Sequence, residues 1–464
     1  MIHKPKVGLL PLHLELYDQT MPAMRQPLEQ FLDDVANLLA KQGLEIVRVP
    51  VCRVASEFRA AVARIEAERA DLIVSLHLAY SPSLESADVL AGSSLPLLIL
   101  DTTLDYDFGR GVDPKRILYN HGIHGVQDLA SVLRRSKKPY HIVAGHYLHG
   151  DVLPRAAGIA RAALAARKFR RGRALRVGES FRGMGDFHLD DGELADQLGI
   201  EVTEVSPDAL APFVREATAE MIDREIASDR RRFDVDVNEG IHRSSVRVGL
   251  GLRRYLEEGR YDAFSVNFLA FDGSNKEVDV MPFLEISKAM ERGIGYGGEG
   301  DVLTASLVGA LSTTFGRTTF TEIFCSDWKG DTIFLSHMGE INPAVAAGRP
   351  LLCERDFPFT KGGNPAFLAC APAPGPAVFV NVAPGPDKTV GLIVAPVEVL
   401  EDGTHPDMKK VVRGWIRSKC GAASFLEEYS RFGGTHHSAL VLGEHGEALT
   451  AFAKLAGLAC HVIE

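Results

Sequence analysis

Beyond residue 290 the chain sets carboxylates and imidazoles inside runs that are otherwise apolar or glycine-rich. GIGYGGEGD, from Gly293 to Asp301, carries Glu299; TTFTEIFCSDW carries Glu322; FLSHMGE carries His337; and FGGTHHSAL carries His436 and His437. A charged or polar group in such surroundings costs several kcal/mol unless it is paired or holds a metal. Taken singly, each histidine reads as a satisfied core residue. Taken together, two carboxylates and two imidazoles from four segments form a mixed oxygen and nitrogen donor set. Such a set suits Mn²⁺, Co²⁺, Fe²⁺ or Mg²⁺ with open positions, rather than a closed, thiolate-rich structural zinc site. The glycine run before the helical stretch TASLVGAL invites a phosphate-cradle reading, but its spacing matches neither GxGxxG nor GxxxxGK[ST], and no lysine follows. Two other readings fit: glycines that bring the backbone close to a ligand faced by Glu299, or a solvated turn with a capping Asp301.

These residues need a scaffold, and its grammar is visible. KVGLLPL reads as a strand, Met24 to Gln42 as an amphipathic helix with Leu28, Phe31, Val35 and Leu39 at helical spacing, and EIVRVPV as a second strand. Ala55 to Ala67 (helix), DLIVSLHL and PLLILDTT (strands), Gly125 to Ser136 (helix) and YHIVAGHY (strand) continue the alternation, which predicts a parallel, doubly wound sheet. Ligands of such sheets lie beyond the carboxyl ends of strands, where His77, Asp101, Asn120, His121, His124 and His146 fall. A helix from Leu153 to Ala174 leads into a second unit, where ALRVGES, GELADQLGIEVTEV and YDAFSVNF repeat the pattern around a charged helical stretch, Pro212 to Arg254, with solvated faces. Beyond Gly316, TTFTEIF, DTIFLSHMG, AVFVNVA and TVGLIVAPVEVL predict an antiparallel sheet or barrel. The expectation is an α/β chain in three parts: α/β domains over 1–170 and 171–315, then a β-rich domain over 316–464.

Composition bounds the function. With 464 residues, 46 % hydrophobic and 24 % charged, the chain is ordinary globular material. A net charge of -10 disfavours nucleic acid and anionic membrane surfaces. The basic cluster between Arg161 and Arg176 reads as a solvated helix end and hinge. No apolar run reaches the roughly 18–20 residues of a spanning helix. Pro11, His13 and Glu15 interrupt the N-terminal apolar stretch, which therefore lacks signal-peptide order, so a cytoplasmic location is expected. Cys52, Cys325, Cys353, Cys370, Cys420 and Cys460 are widely spaced and read as buried thiols.

The ordered motifs GYGGEGDVLTASLVGAL, TTFTEIF, DTIFLSHMGEINP and GGTHHSA resemble the L-arabinose isomerase family and, more distantly, L-fucose isomerase. Weaker likeness extends to VSLHLAYSPS, LLILDTT, NHGIHG with IVAGHY, and VGESFRGM. The resemblance implies three α/β domains, a metal, with Mn²⁺ foremost, held by Glu299, Glu322, His337 and His437, and a hexamer built from trimers with sites between subunits. It also implies that His124 arrives from a neighbouring subunit, with His436 on the sugar side. Two segments depart from the pattern: HLELYD stands where the family has a Gln-x-Leu-Tyr-Gly-like turn, and SVNFLAFDG replaces a Thr-rich Phe-Glu-Asp stretch. With Leu269 and Phe271 in place of polar pocket residues, the far end of the sugar is expected to be handled differently and L-arabinose to be a poor substrate.

The residue types fit the chemistry implied. Aldose–ketose isomerisation moves a proton between C1 and C2 through an enediol, so it needs proton-transfer groups and a Lewis acid for the developing enediolate. Glu299 and Glu322 are the expected acid/base pair. A metal-dependent epimerase or aldolase could use the same set, and a non-catalytic sugar-binding protein would explain the N-terminal unit but leave the set without a role.

Overall fold

A computed structural model describes residues 2–403 and 405–464. The chain separates into two compact units, His3–Arg167 and Lys168–Glu464, the latter taking in Ile2.

In the first unit, β1 (Lys6–Leu12), β2 (Glu45–Arg48), β3 (Leu72–His77), β4 (Leu97–Asp101) and β5 (His141–Ala144) form a sheet in the order β2-β1-β3-β4-β5. Every pairing in it is parallel. The helix Arg25–Lys41 buries Leu28, Phe31, Val35 and Leu39, the face its spacing predicts. β2 stops short of the expected strand because Pro50 has no N–H to give a ladder. A helix over Ser83–Gly92 was not expected. Its buried face is Ser83, Ser86, Ala87 and Leu90, small residues that leave little hydrophobic periodicity to read.

In the second unit, the helix entering from Val152 ends at Phe169 rather than Ala174, and Ala174 instead lies in a strand. β6 (Arg173–Val177) pairs with β7 (Glu201–Val205), while β8 (Asp234–Asp236) stands apart from this sheet. With β9 (Ala263–Val266) and β10 (Gly295–Gly298) the parallel order is β10-β9-β6-β7. The glycine run is therefore a buried strand, not a loop. A methyl group at Gly295 would overlap the Ala305 carbonyl, and one at Gly297 the Asp301 carbonyl, so the glycines let the helix Val302–Phe315 lie directly on the strand. Every residue of that helix is buried.

The β-rich part comprises β11 (Thr318–Asp327), β12 (Thr332–Ser336), β13 (Leu351–Glu354), β14 (Ala366–Ala369), β15 (Gly375–Pro384), β16 (Val390–Val399), β17 (Gly414–Ser418), β18 (His437–Leu442) and β19 (Ala459–Val462). Six of these close an antiparallel barrel, β15-β18-β11-β12-β17-β16, with β16 pairing back onto β15 and β19 pairing in parallel with the first half of β16. Closure removes sheet edges. Phe379, Leu440, Ile416 and Leu335 fill its core. β13 pairs with β14 and with β8 in a small separate sheet.

Three expectations need correction. The charged stretch does not present only solvated faces. Arg253 joins Glu225 and Glu285, Lys288 reaches Glu225 at 2.8 Å and Asp229 at 2.5 Å, and Asp229 meets His242 at 3.0 Å. Asp229 is fully buried, and Lys288 and Glu285 nearly so. Burial opposes ionisation of Glu225, but the Arg253 and Lys288 hydrogen bonds outweigh it and hold the carboxyl down to about 2. Within the basic cluster, Arg176 is buried and paired with Asp191 and Glu204 rather than solvated. Of the thiols, Cys52, Cys353 and Cys370 are buried, Cys420 and Cys460 half-buried, and Cys325 exposed. No described helix is long and apolar enough to cross a membrane.

Candidate active site

The site lies where β10 ends against the rim of the barrel. Glu299 follows β10 directly. Its amide donates to the Val266 carbonyl (3.1 Å), and its carbonyl accepts from the Phe181 amide (2.9 Å). Its φ is +62°, a left-handed conformation that costs a non-glycine residue about 1–3 kcal/mol and clusters at functional sites. Glu322 sits on β11 opposite His437 on β18 and Ser336 on β12, just before a bulge at Ile323–Cys325. His337 follows β12. Barrel register therefore sets Glu322 and His437 side by side.

The structure brings Glu299, Glu322, His337, His436 and His437 together. One ligand atom each from Glu322, His337 and His437 lies within 4.8 Å of the others, and the same holds for Glu299, His436 and His437. His337 Nε2 is 3.6 Å from Glu322 Oε2, and His437 Nε2 is 3.6 Å from Glu299 Oε2. His436 Nε2 lies 3.5 Å from Glu299 Oε2.

Behind each imidazole stands a carboxylate that composition did not single out. His437 Nδ1 meets Asp301 Oδ2 at 3.0 Å, while Asp301 Oδ1 accepts from the Thr304 amide at 2.8 Å and so caps the buried helix. Asp301 thus caps the helix, but it does so in a buried strand-to-helix turn and not in a solvated one. His337 Nδ1 meets Glu340 Oε2 at 2.6 Å. Asp186 Oδ2 accepts from both the backbone amide (2.9 Å) and Nδ1 (2.6 Å) of His436. The second-sphere carboxylate fixes the ring's tautomer and aims Nε2, the arrangement found behind metal-ligating histidines. Spacing gives a weak signal for Glu340, three residues after His337, and none for Asp186, 250 residues from His436.

The field of the site favours a cation. Among the described residues no lysine or arginine is ion-paired with Glu299, Glu322, Asp301 or Glu340. Burial alone would depress the His437 imidazole, but the Asp301 carboxylate bonded to Nδ1 and the negative charge of Glu299 beside Nε2 outweigh it and lift the ring to about 10. Burial likewise opposes ionisation of Glu299, yet the His436 and His437 contacts leave it well below the usual carboxylate range. Burial pushes the Glu322 carboxyl up. His437 Nε2 is fully buried with no hydrogen-bond partner, as is His436 Nε2. At Gly298 a Cβ would stand 3.1 Å from His437 Nε2 and 3.3 Å from His337 Nε2, so a side chain there would fill the cradle between the two imidazoles. If this cradle holds a divalent ion, Gly298→Ala should weaken its binding at least tenfold with the fold intact by circular dichroism, which metal titration checks.

Phe320 packs edge-on against His337 (4.8 Å) and His437 (5.1 Å), and Phe187 stacks on His437 at 5.1 Å. Leu269 and Phe271, with Ser180 and Asn267, line a cavity of about 580 Å³ at the carboxyl ends of β6, β7 and β9. Phe271 is buried and Leu269 half exposed.

His124 lies in the first unit. Its Nδ1 is 3.0 Å from His121 Nε2, and its ring rests on Tyr80 at 4.8 Å. The glycines of NHGIHG have a packing reason: a Cβ at Gly122 would be 2.9 Å from the His77 carbonyl and one at Gly125 3.0 Å from His77 Nε2. His77 is fully buried and held near 4 by desolvation, so it is a neutral core residue.

The glycine strand that ends on a carboxylate, and the barrel rim that meets it with histidines and a second carboxylate, fall within two domains that comparison with known proteins identifies. A model of the L-arabinose isomerase central domain matches residues 173–315, and one of the L-arabinose isomerase C-terminal domain matches residues 317–459. The chain is 30 % identical over 358 residues to an L-arabinose isomerase of Nocardioides sp., covering 73 % of this chain and 69 % of that one. It is 27 % identical over 425 residues to that of Acidothermus cellulolyticus (83 % and 79 % covered) and 25 % identical over 456 residues to that of Serratia proteamaculans (94 % and 89 % covered). The chain belongs to the L-arabinose isomerase family, and with it to the aldose–ketose isomerases.

Proposed function

We propose that the protein is a divalent-metal-dependent aldose–ketose isomerase that works through an enediol, with Mn²⁺, or else Co²⁺, Mg²⁺ or Fe²⁺, held by Glu299, Glu322, His337 and His437. The observation that carries this reading is the pair of buried imidazoles, each backed by a buried carboxylate and each turning Nε2 toward Glu299 or Glu322 across the gap that Gly298 leaves open. When bound, the cation would polarise the two sugar oxygens and stabilise the developing enediolate charge. Glu322, with its carboxyl pushed up by burial, suits the group that accepts and returns the carbon-bound proton. Glu299 stays ionised beside His436 and His437 and suits transfer of the hydroxyl proton. Phe187 and Phe320 keep water from the imidazole faces. His436, held by Asp186 through Nδ1 and facing Glu299 with Nε2, is assigned to the sugar side, as the family resemblance implies.

The substrate is a small sugar. The relatives are named for L-arabinose, but the departures at HLELYD and SVNFLAFDG lead us to expect that L-arabinose is a poor substrate and a different or modified aldose a better one. A screen of pentoses, hexoses and deoxy-sugars with added Mn²⁺, read by carbon NMR of the products, tests both points. Conversion of an aldose into its ketose without carbon–carbon cleavage supports the isomerase and excludes an aldolase. Inversion without a ketose product would make it an epimerase, and L-arabinose as the best substrate would show that these segments do not set specificity.

We further infer a cytoplasmic homo-oligomer, a hexamer or trimer, in which His124 completes a neighbouring subunit's site. Six unpaired cysteines suit a reducing compartment. Mixing His124→Ala subunits with Glu299→Gln subunits is expected to restore part of the activity that each lacks alone. No recovery would confine the site to one chain.

A further inference from the structure

We propose that Tyr296 and Glu340 form a positioning relay that sets the metal affinity of His337, an inference that rests on the metal reading above. The phenol of Tyr296 donates to Glu340 Oε1 at 2.9 Å, and Glu340 Oε2 accepts from the Gly339 amide at 2.8 Å and from His337 Nδ1 at 2.6 Å. Glu340 is 1 % exposed and Tyr296 1 %, so neither has water to fall back on. A buried carboxylate that accepts three hydrogen bonds has one orientation, and it gives His337 one tautomer: the proton on Nδ1 and the lone pair on Nε2, toward Glu322.

The Tyr296 ring by itself does not explain the hydroxyl. It sits among apolar neighbours, 5.3 Å from the Phe264 ring and 5.4 Å from that of Phe320. A phenylalanine would fill the same cage. The hydroxyl's described bond goes to Glu340, and burying a phenol oxygen is costly unless that bond repays it. The relay also crosses the fold: Tyr296 belongs to β10 of the parallel sheet and His337 to the barrel rim, so the bond ties the strand that delivers Glu299 to the loop that delivers His337.

The two buried carboxylates differ in a way that makes Tyr296 the cleaner probe. Asp301 holds His437 but also caps the helix Val302–Phe315, so its replacement disturbs the fold. Among the described residues the Tyr296 hydroxyl has no second polar partner.

The test compares wild type, Tyr296→Phe and Glu340→Gln as full-length apo protein titrated with Mn²⁺ alone, followed by the visible absorption band of the Co²⁺ form. Glu340→Gln is expected to bind Mn²⁺ about 10–100-fold more weakly, the usual effect of losing a second-sphere partner, and Tyr296→Phe about three- to tenfold more weakly. Both should shift the Co²⁺ band, while the apo melting temperature of Tyr296→Phe stays within a few degrees of wild type. Mn²⁺ affinities within twofold of wild type and an unshifted Co²⁺ band in both variants would overturn the relay and leave Glu340 a core residue. A wild-type protein that binds neither ion would overturn the metal reading itself, and the relay with it.

Discussion

Glu299→Gln and Glu322→Gln are each expected to lose turnover by about 10²–10⁴-fold or more, the range of a general acid or base, while remaining folded. The amide keeps the volume and one acceptor oxygen but can neither take a proton from carbon nor carry a full ligand charge. The two losses should differ in kind. Glu322 is a buried carboxylate facing His337, so its replacement should fall chiefly on kcat. Glu299 is held ionised by His436 and His437, so its replacement should also weaken metal binding. Steady-state kinetics on the best sugar from the screen, with metal titration alongside, checks both. Near-normal turnover in either variant would remove that residue from the acid/base pair.

Chelation carries the second large effect. Stripping the divalent ion is expected to abolish activity and lower the melting temperature, with re-addition of Mn²⁺ restoring both. The proposed ligands come from the end of β10, from β11, from the turn after β12 and from the start of β18, so one ion would tie four segments of the second unit. Binding to the native state alone contributes about 2.7 kcal/mol when free metal is 100 times Kd, and the lost stability should follow that dependence on concentration. Scanning calorimetry over a range of free Mn²⁺ reads it. Full activity in demonstrably metal-free protein would refute the dependence.

Much of this arrangement is legible in the sequence because it is built from local signals. The amphipathic face of Arg25–Lys41, the alternating strands of the first unit and the short apolar runs after Gly316 each announce their element through periodicity. Glu299, Glu322, His337 and His437 announce themselves by being charged or polar in runs where such groups need partners. What was hidden is long-range. Asp186 meets His436 across 250 residues and Asp301 meets His437 across 136, and no spacing rule reaches that far. The glycine run misled because glycine signals a loop locally, whereas here it answers the approach of a helix that only the folded chain reveals. The charged helices misled for a similar reason: Asp229 looks like a solvent-facing residue until its element packs and it meets Lys288 and His242.

The backbone around GGTHHSA shows why two successive histidines can serve one site. His436 precedes β18 and His437 begins it, so the pair escapes the strict alternation of a strand. Asn381 Nδ2 donates to the His437 carbonyl at 2.6 Å, and the Tyr429 hydroxyl donates to the Thr435 carbonyl at 2.5 Å, pinning the turn from two sides.

We propose that one divalent cation sits among Glu299, Glu322, His337 and His437. The most direct measurement is an anomalous difference map from crystals of the full-length protein grown with Mn²⁺ and collected on both sides of the manganese edge. One strong peak per subunit is expected within bonding distance of a carboxylate oxygen of Glu299 and of Glu322 and of Nε2 of His337 and of His437. A peak bound instead by His436, or a density-clear site with no peak at saturating Mn²⁺, would contradict it.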